Sequence, residues 1–348
     1  MPTTVTRYIN AGSTSGGDGT TNATSGANRA WATWNEAIVA LNSAYTDLVA
    51  SDVLIDLRVT GLASQASAMT LPTFTRDATR YLLVQPETGQ EHAGKYDSSK
   101  AGIQITGTFN NGWSSTTNHS FIKWRKLILE RNSTSTTDGT GFAFQTSAYE
   151  GLLMDSCVFH RSGRASATGG DALVFESSVV KAGTIVNCVF SGSWFNAIRT
   201  NRVSSGGAIT LYNNTMVGFF GNGILYQNMA ADRSRNINNR MERAAGNTNA
   251  CYVTNLAQTT GTNFTDDATS PDGASFQSKT GTYVDAVNFD YRLAAGDAGI
   301  GQATDLSADA TYPFSTDFIG TTRSAWDIGA SEYVVAASGG FRPYFITG

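Results

Sequence analysis

A drifting repeat in the middle of the chain constrains its fold more than any other feature. Each copy joins a short β-prone run, a turn residue that is often Asn, a residue that is usually small, and an apolar pair. We call the turn residues pivots; they are Lys126, Ser156, Asn187, Asn213 and Asn238. Successive pivots lie 30, 31, 26 and 25 residues apart. A repeat of this length indicates a solenoid, in which similar units stack along one axis.

A second track of strand signals runs between the pivots. Its small-then-apolar steps begin at Gly141, Ala172, Ala197, Gly223 and Ala250. Two strand signals per period fit one coil of a solenoid. A propeller blade needs about 40 or more residues and four strands, and a leucine-rich repeat needs a Leu ladder that this sequence lacks. The pattern therefore predicts an all-β chain folded as a right-handed parallel β-helix.

Composition agrees with one long β domain and argues against some partners. Of the 348 residues, 36 are Gly, and charged residues make up 15%, below the usual quarter. The net charge of −4 provides no basic stripe for nucleic acid, so we expect no nucleic-acid partner. We interpret one local group of basic residues as solvated coil faces or contact points rather than an anion groove. This group consists of Arg233, Arg235, Arg240 and Arg243.

The three cysteines suggest buried thiols rather than a metal site. Cys157 and Cys188 follow equivalent pivots one coil apart, which predicts that they stack inside the solenoid as small apolar residues. A disulfide between neighbouring coils stays open, as does the state of Cys251. No C-x-x-C spacing is present, and we predict neither a metal nor a cofactor.

The composition of the first residues bears on where the protein is located. They contain no basic region followed by an apolar one, so we expect no signal peptide. No apolar run reaches the roughly 18 residues that a membrane-spanning helix requires, and we expect no membrane contact. A β-helix without an export signal can still leave the cell inside a phage particle released by lysis. We therefore predict a protein made in the host cytoplasm and located in the virion.

The chain divides into four predicted regions. Residues 1–50 form an entry strand and a capping helix, and residues 51–256 form the coils. Residues 257–333 form irregular final coils with a closing clause, and residues 334–348 form a C-terminal tail. Thr33 and Glu36 have the spacing of a capping box. An apolar face follows at helical spacing and would plug the open end of the solenoid. That face consists of Trp34, Ile38, Leu41, Tyr45 and Leu48.

Segments at both ends resemble a known family. They are 16–20 (GGDGT), 31–38 (WATWNEAI), 288–296 (NFDYRLAAG) and 323–333 (RSAWDIGASEY). The chain is similar to the pectate-lyase-like right-handed parallel β-helix family, and most similar to members whose last coil closes with an R…DIGAxEY clause. Within that family it resembles virion proteins of the decoration or tailspike kind. The resemblance covers essentially the whole chain and implies the fold. It says little about chemistry, because one scaffold carries lyases, hydrolases, adhesins and inert parts.

Catalysis on such a scaffold would need paired acids or a positioned base. The candidate acids are Asp155, Asp171 and Glu176, with Arg161, Arg164, Arg199 and Arg202 on the same coils. Alignment of the coils opposes them, since Asp155 aligns with Val186 and Tyr212. Asp171 falls at an Asn-type turn position, and Glu176 has Asn201 in the next coil. His160 is the best single acid–base candidate, although we interpret it as a solvent-facing strand end. His92 and His119 lie in loop-like sequence. We predict no catalytic residue.

Aromatic pairs indicate a different kind of site. Trp194 and Phe195 lie in the turn between the two tracks, and Phe219 with Phe220 holds the same place one coil later. If exposed, they could bind sugar rings or a protein; if not, they fill the lumen or a packed turn. The tail carries Tyr344 and Phe345 after a Gly-Gly link. It either folds back as a cap or docks on another subunit.

These observations predict a non-enzymatic structural protein of a phage virion, displayed on the capsid as decoration or cement, or part of the tail. Its partners would be other virion proteins, and we expect a homo-oligomer, with a trimer as one option. The alternative is a tailspike or tail fibre that binds or cleaves host surface polysaccharide, as a lyase or a hydrolase. A third hypothesis is a bacterial surface adhesin.

Overall fold

The structure is a computed structural model of the 348-residue chain. It describes residues 1–107, 113–115, 120–132, 140–145, 150–162, 170–176, 182–201, 208–227, 234–254 and 258–335. For residues 113–115, 145, 176 and 201 it describes the backbone alone.

The chain forms a right-handed parallel β-helix, as the repeat predicts. Three parallel sheets line it, so a full coil has three strands where the sequence signals indicate two. Sheet 1 contains β1 (Thr3–Asn10), β2 (Val53–Thr60), β4 (Leu82–Pro86), β7 (Ile122–Arg125), β10 (Leu152–Asp155), β13 (Gly183–Val186), β16 (Ile209–Tyr212), β19 (Arg235–Ile237) and β22 (Thr259–Gly261). Sheet 2 contains β3 (Leu62–Gln65), β5 (Gly102–Ile105), β8 (Ile128–Asn132), β11 (Val158–Ser162), β14 (Val189–Gly192), β17 (Thr215–Phe219), β20 (Arg240–Arg243) and β23 (Phe264–Thr265). Sheet 3 contains β6 (Trp113–Ser115), β9 (Phe142–Gln145), β12 (Leu173–Glu176), β15 (Ile198–Asn201), β18 (Ile224–Gln227) and β21 (Tyr252–Val253).

The second track corresponds to sheet 3, with one shift. Ile224 pairs with Tyr252, so the last step begins at Cys251 and not at Ala250 as predicted. The third strand of each coil escaped the sequence pattern because the pivot turn is very short. The strand of sheet 1 before the pivot and the strand of sheet 2 after it are separated by only two residues, so in the sequence the two strands look like one.

The pivots have the backbone conformation that the repeat requires. All five lie in the left-handed region, with φ between 50° and 61°, and turn the chain from sheet 1 into sheet 2. Asn tolerates this region better than most residues do, which explains its recurrence. Thr262, with φ of 54°, is a sixth pivot that the sequence pattern did not reveal.

The interior is filled by stacked side chains. The rings of Phe159 and Phe190 lie 4.6 Å apart and nearly parallel, one coil above the other. Cys157 and Cys188 are buried free thiols at equivalent positions, as predicted. Asparagines continue this position in the next coils: the Cys188 N–H donates to Asn214 Oδ1 at 2.9 Å, and the Asn214 N–H to Asn239 Oδ1 at 3.1 Å. These bonds satisfy buried backbone donors at the pivot turns.

A helix closes the N-terminal end of the β-helix. α1 (Trp34–Ala44) begins after Thr33, whose hydroxyl accepts the Glu36 N–H at 3.2 Å. Trp34, Ile38 and Leu41 are buried on the predicted face, and the Trp34 ring stacks on the lumenal Trp124 at 5.0 Å. Tyr45 ends α1 instead of continuing it, and α2 (Leu48–Ser51) buries Leu48.

The closing clause does not cover the last coil. After the antiparallel hairpin of β24 (Tyr283–Asp285) and β25 (Asp290–Leu293), the chain runs back along the outside of the rod. We call residues 283–333 the C-terminal arm. Its Leu306 and Trp326 pack on the outer face of sheet 1, while Phe318 and Tyr291 pack on that of sheet 2. The arm therefore seals one flank, and the predicted closing clause lies on that flank, against Asn213 and Thr215, instead of across the end of the rod.

Candidate functional site

Asp171 occupies the turn that enters β12, at the Asn-type position predicted for it. Its Oδ1 accepts the Asn196 side-chain amide at 2.6 Å and backbone N–H at 3.2 Å. Its Oδ2 lies 2.6 Å from Arg199 Nε. In the next coil the Asn222 N–H donates to Asn196 Oδ1 at 2.6 Å, which extends the ladder. The ladder position is confirmed, and both carboxylate oxygens of Asp171 are engaged within the fold.

Asp155 has no acidic neighbour in its ladder. β10 pairs Asp155 with Arg125 on one side and Val186 on the other, and Val186 pairs with Tyr212, as the alignment predicts. The Ser156 hydroxyl donates to Asp155 Oδ1 at 2.8 Å. Burial raises the pKa of this carboxyl, against the lowering effect of Ser156 and Arg125. A second carboxylate for hydrolysis is missing at this position in the neighbouring coils.

Several candidates lie outside the described residues. For Glu176 the structure gives the backbone, which pairs with Gln145 in β9. The candidates outside the description altogether are Arg164, Arg202, Arg233, His119, Tyr344 and Phe345.

His160 is not the solvent-facing strand end that the sequence indicated; it is 2% exposed. The Tyr96 ring stacks on it with centroids 3.8 Å apart, and the Phe289 ring meets it edge-on at 4.6 Å. Nδ1 lies 2.9 Å from the Ser191 hydroxyl. Burial lowers the pKa of His160 to about 4, so the ring is neutral at pH 7. A shielded neutral imidazole under two aromatic rings has no access to substrate.

Other charged candidates also serve the fold. Arg161 is buried, donates to the Gly170 carbonyl at 3.1 Å and lies 5.5 Å from the Trp194 ring. The interpretation of the basic group as solvated was wrong for Arg240, which is 1% exposed and bound by Asp297 at 2.5 Å. Arg235 and Arg243 are partly exposed and pair with Asp309 and Asp266.

The aromatic turn is a predicted feature that reaches solvent. Trp194 and Phe219 are buried, Phe220 is partly exposed, and Phe195 is 37% exposed. Phe195 lines a cavity of about 410 Å³ beside sheet 3. The other residues of its wall are Thr140, Gly170, Asp171, Asn196, Arg199, Leu225 and Gln227. An aromatic face next to amides and an ion pair has the composition of a sugar-binding surface, so this cavity is the candidate site.

Three residues of the kinds that bind metals lie close together, which the sequence pattern did not predict because they are not adjacent in sequence. One ligand atom each of Cys251, Asp266 and Asp267 lies within 4.8 Å of the others. Arg243 Nε donates to Asp266 at 2.9 Å, and Cys251 Sγ lies 2.8 Å from the same oxygen. Burial raises the pKa of the Cys251 thiol, which keeps it protonated. In the structure this group contains the Arg243–Asp266 ion pair beside the Cys251 thiol.

Comparison of the chain with protein-family models, curated proteins and solved structures gives no match. Among the described residues, no helix has the length and hydropathy needed to cross a membrane.

Proposed function

We propose that this protein is a non-enzymatic structural component of a bacteriophage particle, displayed as capsid decoration or as part of the tail. The observation that supports a structural role is that two of the described candidates, the acid Asp171 and the base His160, are engaged inside the fold. Asp171 bonds to Asn196 and Arg199, and His160 lies under Tyr96. The phage assignment itself comes from the resemblance of the two chain ends to virion β-helices.

The architecture suits such a role. An α-helix plugs one end of the rod, and the C-terminal arm covers sheets 1 and 2 with two apolar clusters. Parallel strands satisfy their backbone groups in the coils above and below, so unpaired strand edges are confined to the ends of the rod, and the helix covers one of these ends. A particle protein exposed to the medium benefits from covered edges, because exposed edges invite aggregation.

Mass spectrometry of purified virions tests the proposal. We expect the protein in the particle at a fixed stoichiometry to a capsid or tail protein, and a particle reconstruction then locates it. Its absence from purified particles would refute the phage assignment and leave a bacterial surface adhesin as the better hypothesis.

A second function, binding or cleavage of a host surface glycan, is favoured by one observation. Phe195 is exposed at the mouth of the sheet 3 cavity, beside the Asp171–Arg199 pair. Incubation with host capsular and lipopolysaccharide glycans, followed by assays for reducing ends and unsaturated uronates, tests cleavage. Turnover that is abolished in variants of His160, Arg161 or Asp171 would overturn the structural proposal. Binding without turnover, lost in Phe195→Ala, would support a glycan-binding tail component.

A further inference from the structure

A crevice lies on the flank where the C-terminal arm meets the loop before β5. One half is a cavity of about 510 Å³ lined by Lys100, Lys126, Glu91 and His92. The other half, of about 470 Å³, is lined by Val284, Ala294, Ala295 and Val334. Arg292 and Ile319 belong to both walls, so the two cavities adjoin. None of the lysine or valine residues takes part in the candidate site beside sheet 3.

The wall of the first half holds the two ammonium groups of Lys100 and Lys126. Neither forms a close ion pair with a carboxylate in the described part of the chain, and Lys100 Nζ donates to the Gly89 carbonyl at 3.4 Å. Asp97 and Asp155 attract these two lysines from outside the wall. Glu91 is the acid in this wall, so the two ammonium groups outnumber it. Arg292 adds a guanidinium whose charge Asp290 balances at 2.5 Å.

His92 contributes no charge to the crevice. The sequence placed it in an unremarkable loop, but it is 3% exposed. Its Nε2 lies 2.6 Å from the Ser156 carbonyl and its Nδ1 3.3 Å from the Gly94 N–H. These contacts define one neutral tautomer, with Nε2 as the donor. Positive charge in this wall therefore comes from the lysines.

Lys126 occupies a position that its neighbours in the repeat use differently. It is a pivot with φ of 52°. The pivots Asn187, Asn213 and Asn238 bind backbone groups of the arm. Lys126 adopts a backbone conformation that Asn adopts more easily. The lysine lines the cavity, whereas the Asn side chains at the other pivots bind the arm. The repeat therefore does not explain the lysine.

The second half exposes aliphatic surface. Val284 is 53% exposed, Ile319 38% and Val334 61%. The negative charge of Glu332 in this wall is balanced by Arg323, whose Nη1 lies 3.6 Å from Glu332 Oε2, and Glu332 also accepts the N–H groups of Ser324 and Ala325 at 2.8 and 2.9 Å. Contiguous exposed aliphatic side chains rimmed by charge are typical of protein-binding surfaces.

We propose that this crevice docks an extended peptide segment of a neighbouring protein. A carboxylate of that segment would lie between Lys100 and Lys126, and its aliphatic side chains would cover Val284 and Val334. Sugar-binding surfaces present aromatic faces and dense hydrogen-bonding groups, whereas this crevice presents valines and ammonium groups, which favours a peptide. The proposal extends the proposed function, because a particle component needs a neighbour, but its test is independent of virions.

Selection from a displayed library of random dodecapeptides on the full chain tests the proposal. We expect enriched peptides that combine Asp or Glu with aliphatic residues. A synthetic copy of an enriched peptide should bind roughly ten- to a hundredfold more weakly to Lys126→Asn and to Lys100→Gln, because each variant loses a charge-assisted hydrogen bond. Lys279→Gln removes a charge outside the crevice and should change the affinity less than twofold. Binding should also weaken at high salt.

Lys126→Asn is the informative variant because Asn suits the left-handed pivot, so its thermal midpoint should equal or exceed that of the wild type. Peptides without acids, equal affinity for this variant, or no enrichment at all would overturn the proposal. Self-association of the wild type that Lys126→Asn abolishes would identify a second copy as the occupant and also overturn it. Peptide binding that appears only in Phe345→Ser would identify the chain's own tail, with the same consequence.

Discussion

Both long sides of the rod carry a ladder of turn residues, but the two ladders bond to different partners. On the arm-covered flank, the Asn213 amide donates to the arm carbonyls of Asp327 and Gly329 at 3.0 and 3.2 Å. On the sheet 3 side, the turn residues Asp171 and Asn196 bond to each other. The flank ladder thus fixes a second layer onto the coils, whereas the sheet 3 ladder only joins one coil to the next.

Because of this difference, the arm-covered flank contributes more to the stability of the protein, whereas the sheet 3 side is more exposed to solvent. The flank holds Arg323, which is fully buried and donates to Asn187 Oδ1 at 2.8 Å and to the Ala330 carbonyl at 2.9 Å. The sheet 3 side holds Arg199, whose side chain is 24% exposed. We therefore expect substitutions on the flank to destabilise the protein, and substitutions beside sheet 3 to alter its surface.

The largest effect should come from Arg323→Met. Loss of this buried cation removes the counter-charge of Glu332 and the donor to several arm carbonyls, which typically costs about 3–5 kcal/mol. Urea unfolding monitored by circular dichroism measures the loss, and hydrogen exchange should show the arm opening first. Arg199→Met is the matched control, with a smaller expected loss of about 1–2 kcal/mol, because Asp171 keeps its two hydrogen bonds from Asn196. Equal losses in the two variants would contradict the proposed division.

The coils could be predicted from the sequence because their constraints are local. A pivot in the left-handed region favours Asn, and the residue after it faces the lumen, so both leave a pattern every 25 to 31 residues. The capping helix is equally local, since Thr33 and Glu36 are three residues apart. The arm's destination could not be predicted, because most of the coil residues that bind it lie between 57 and 136 residues away in sequence.

The clause R…DIGAxEY shows this limit clearly. Its residues bond to each other: Glu332 accepts the Asp327 N–H at 3.2 Å, and Asp327 accepts the Tyr333 N–H at 2.5 Å. Gly329 has φ of 103°, and a Cβ there would lie 2.6 Å from Thr215 Oγ1. The motif therefore identifies a compact unit, but nothing in it says that the unit packs along the flank. The burial of His160 could not be predicted for the same reason, because the residues that cover it, Tyr96 and Phe289, are distant in sequence.

Acid should destabilise the flank through its two buried histidines. Burial lowers the pKa of His92 and of His160 from 6.5 to about 4. The unfolded chain then binds more protons between these values, so stability is fully present above pH 6.5 and is lost as the pH falls toward 4. Each histidine contributes about 3 kcal/mol to this loss. In His160→Phe the free energy of unfolding should depend less on pH between 4 and 6.5. If its pH dependence equals that of the wild type, His160 is not a source of the acid destabilisation.

A smaller effect should follow from Asn213→Ala. The variant loses two hydrogen bonds to the arm and places Ala at φ of 50°, for a cost of about 2–3 kcal/mol. Asn213→Gly keeps the left-handed backbone conformation accessible, so its expected loss of about 1–2 kcal/mol in the free energy of unfolding measures the contribution of the hydrogen bonds alone. Denaturant midpoints of the two variants give the comparison. If Gly and Ala cost the same, the left-handed conformation contributes nothing measurable.

The smallest effect on stability should come from Phe195→Ala beside sheet 3. Its ring is partly exposed, and removing it should lower the free energy of unfolding by about 1 kcal/mol. The neighbouring Trp194 is 1% exposed with its indole nitrogen 3.5 Å from the Phe159 carbonyl, so Trp194→Ala should cost about 3–5 kcal/mol. Thermal and urea unfolding of the two variants distinguish a surface aromatic from a core one. A large loss in Phe195→Ala would mean that this ring supports the turn, which would remove the observation that favours glycan binding there.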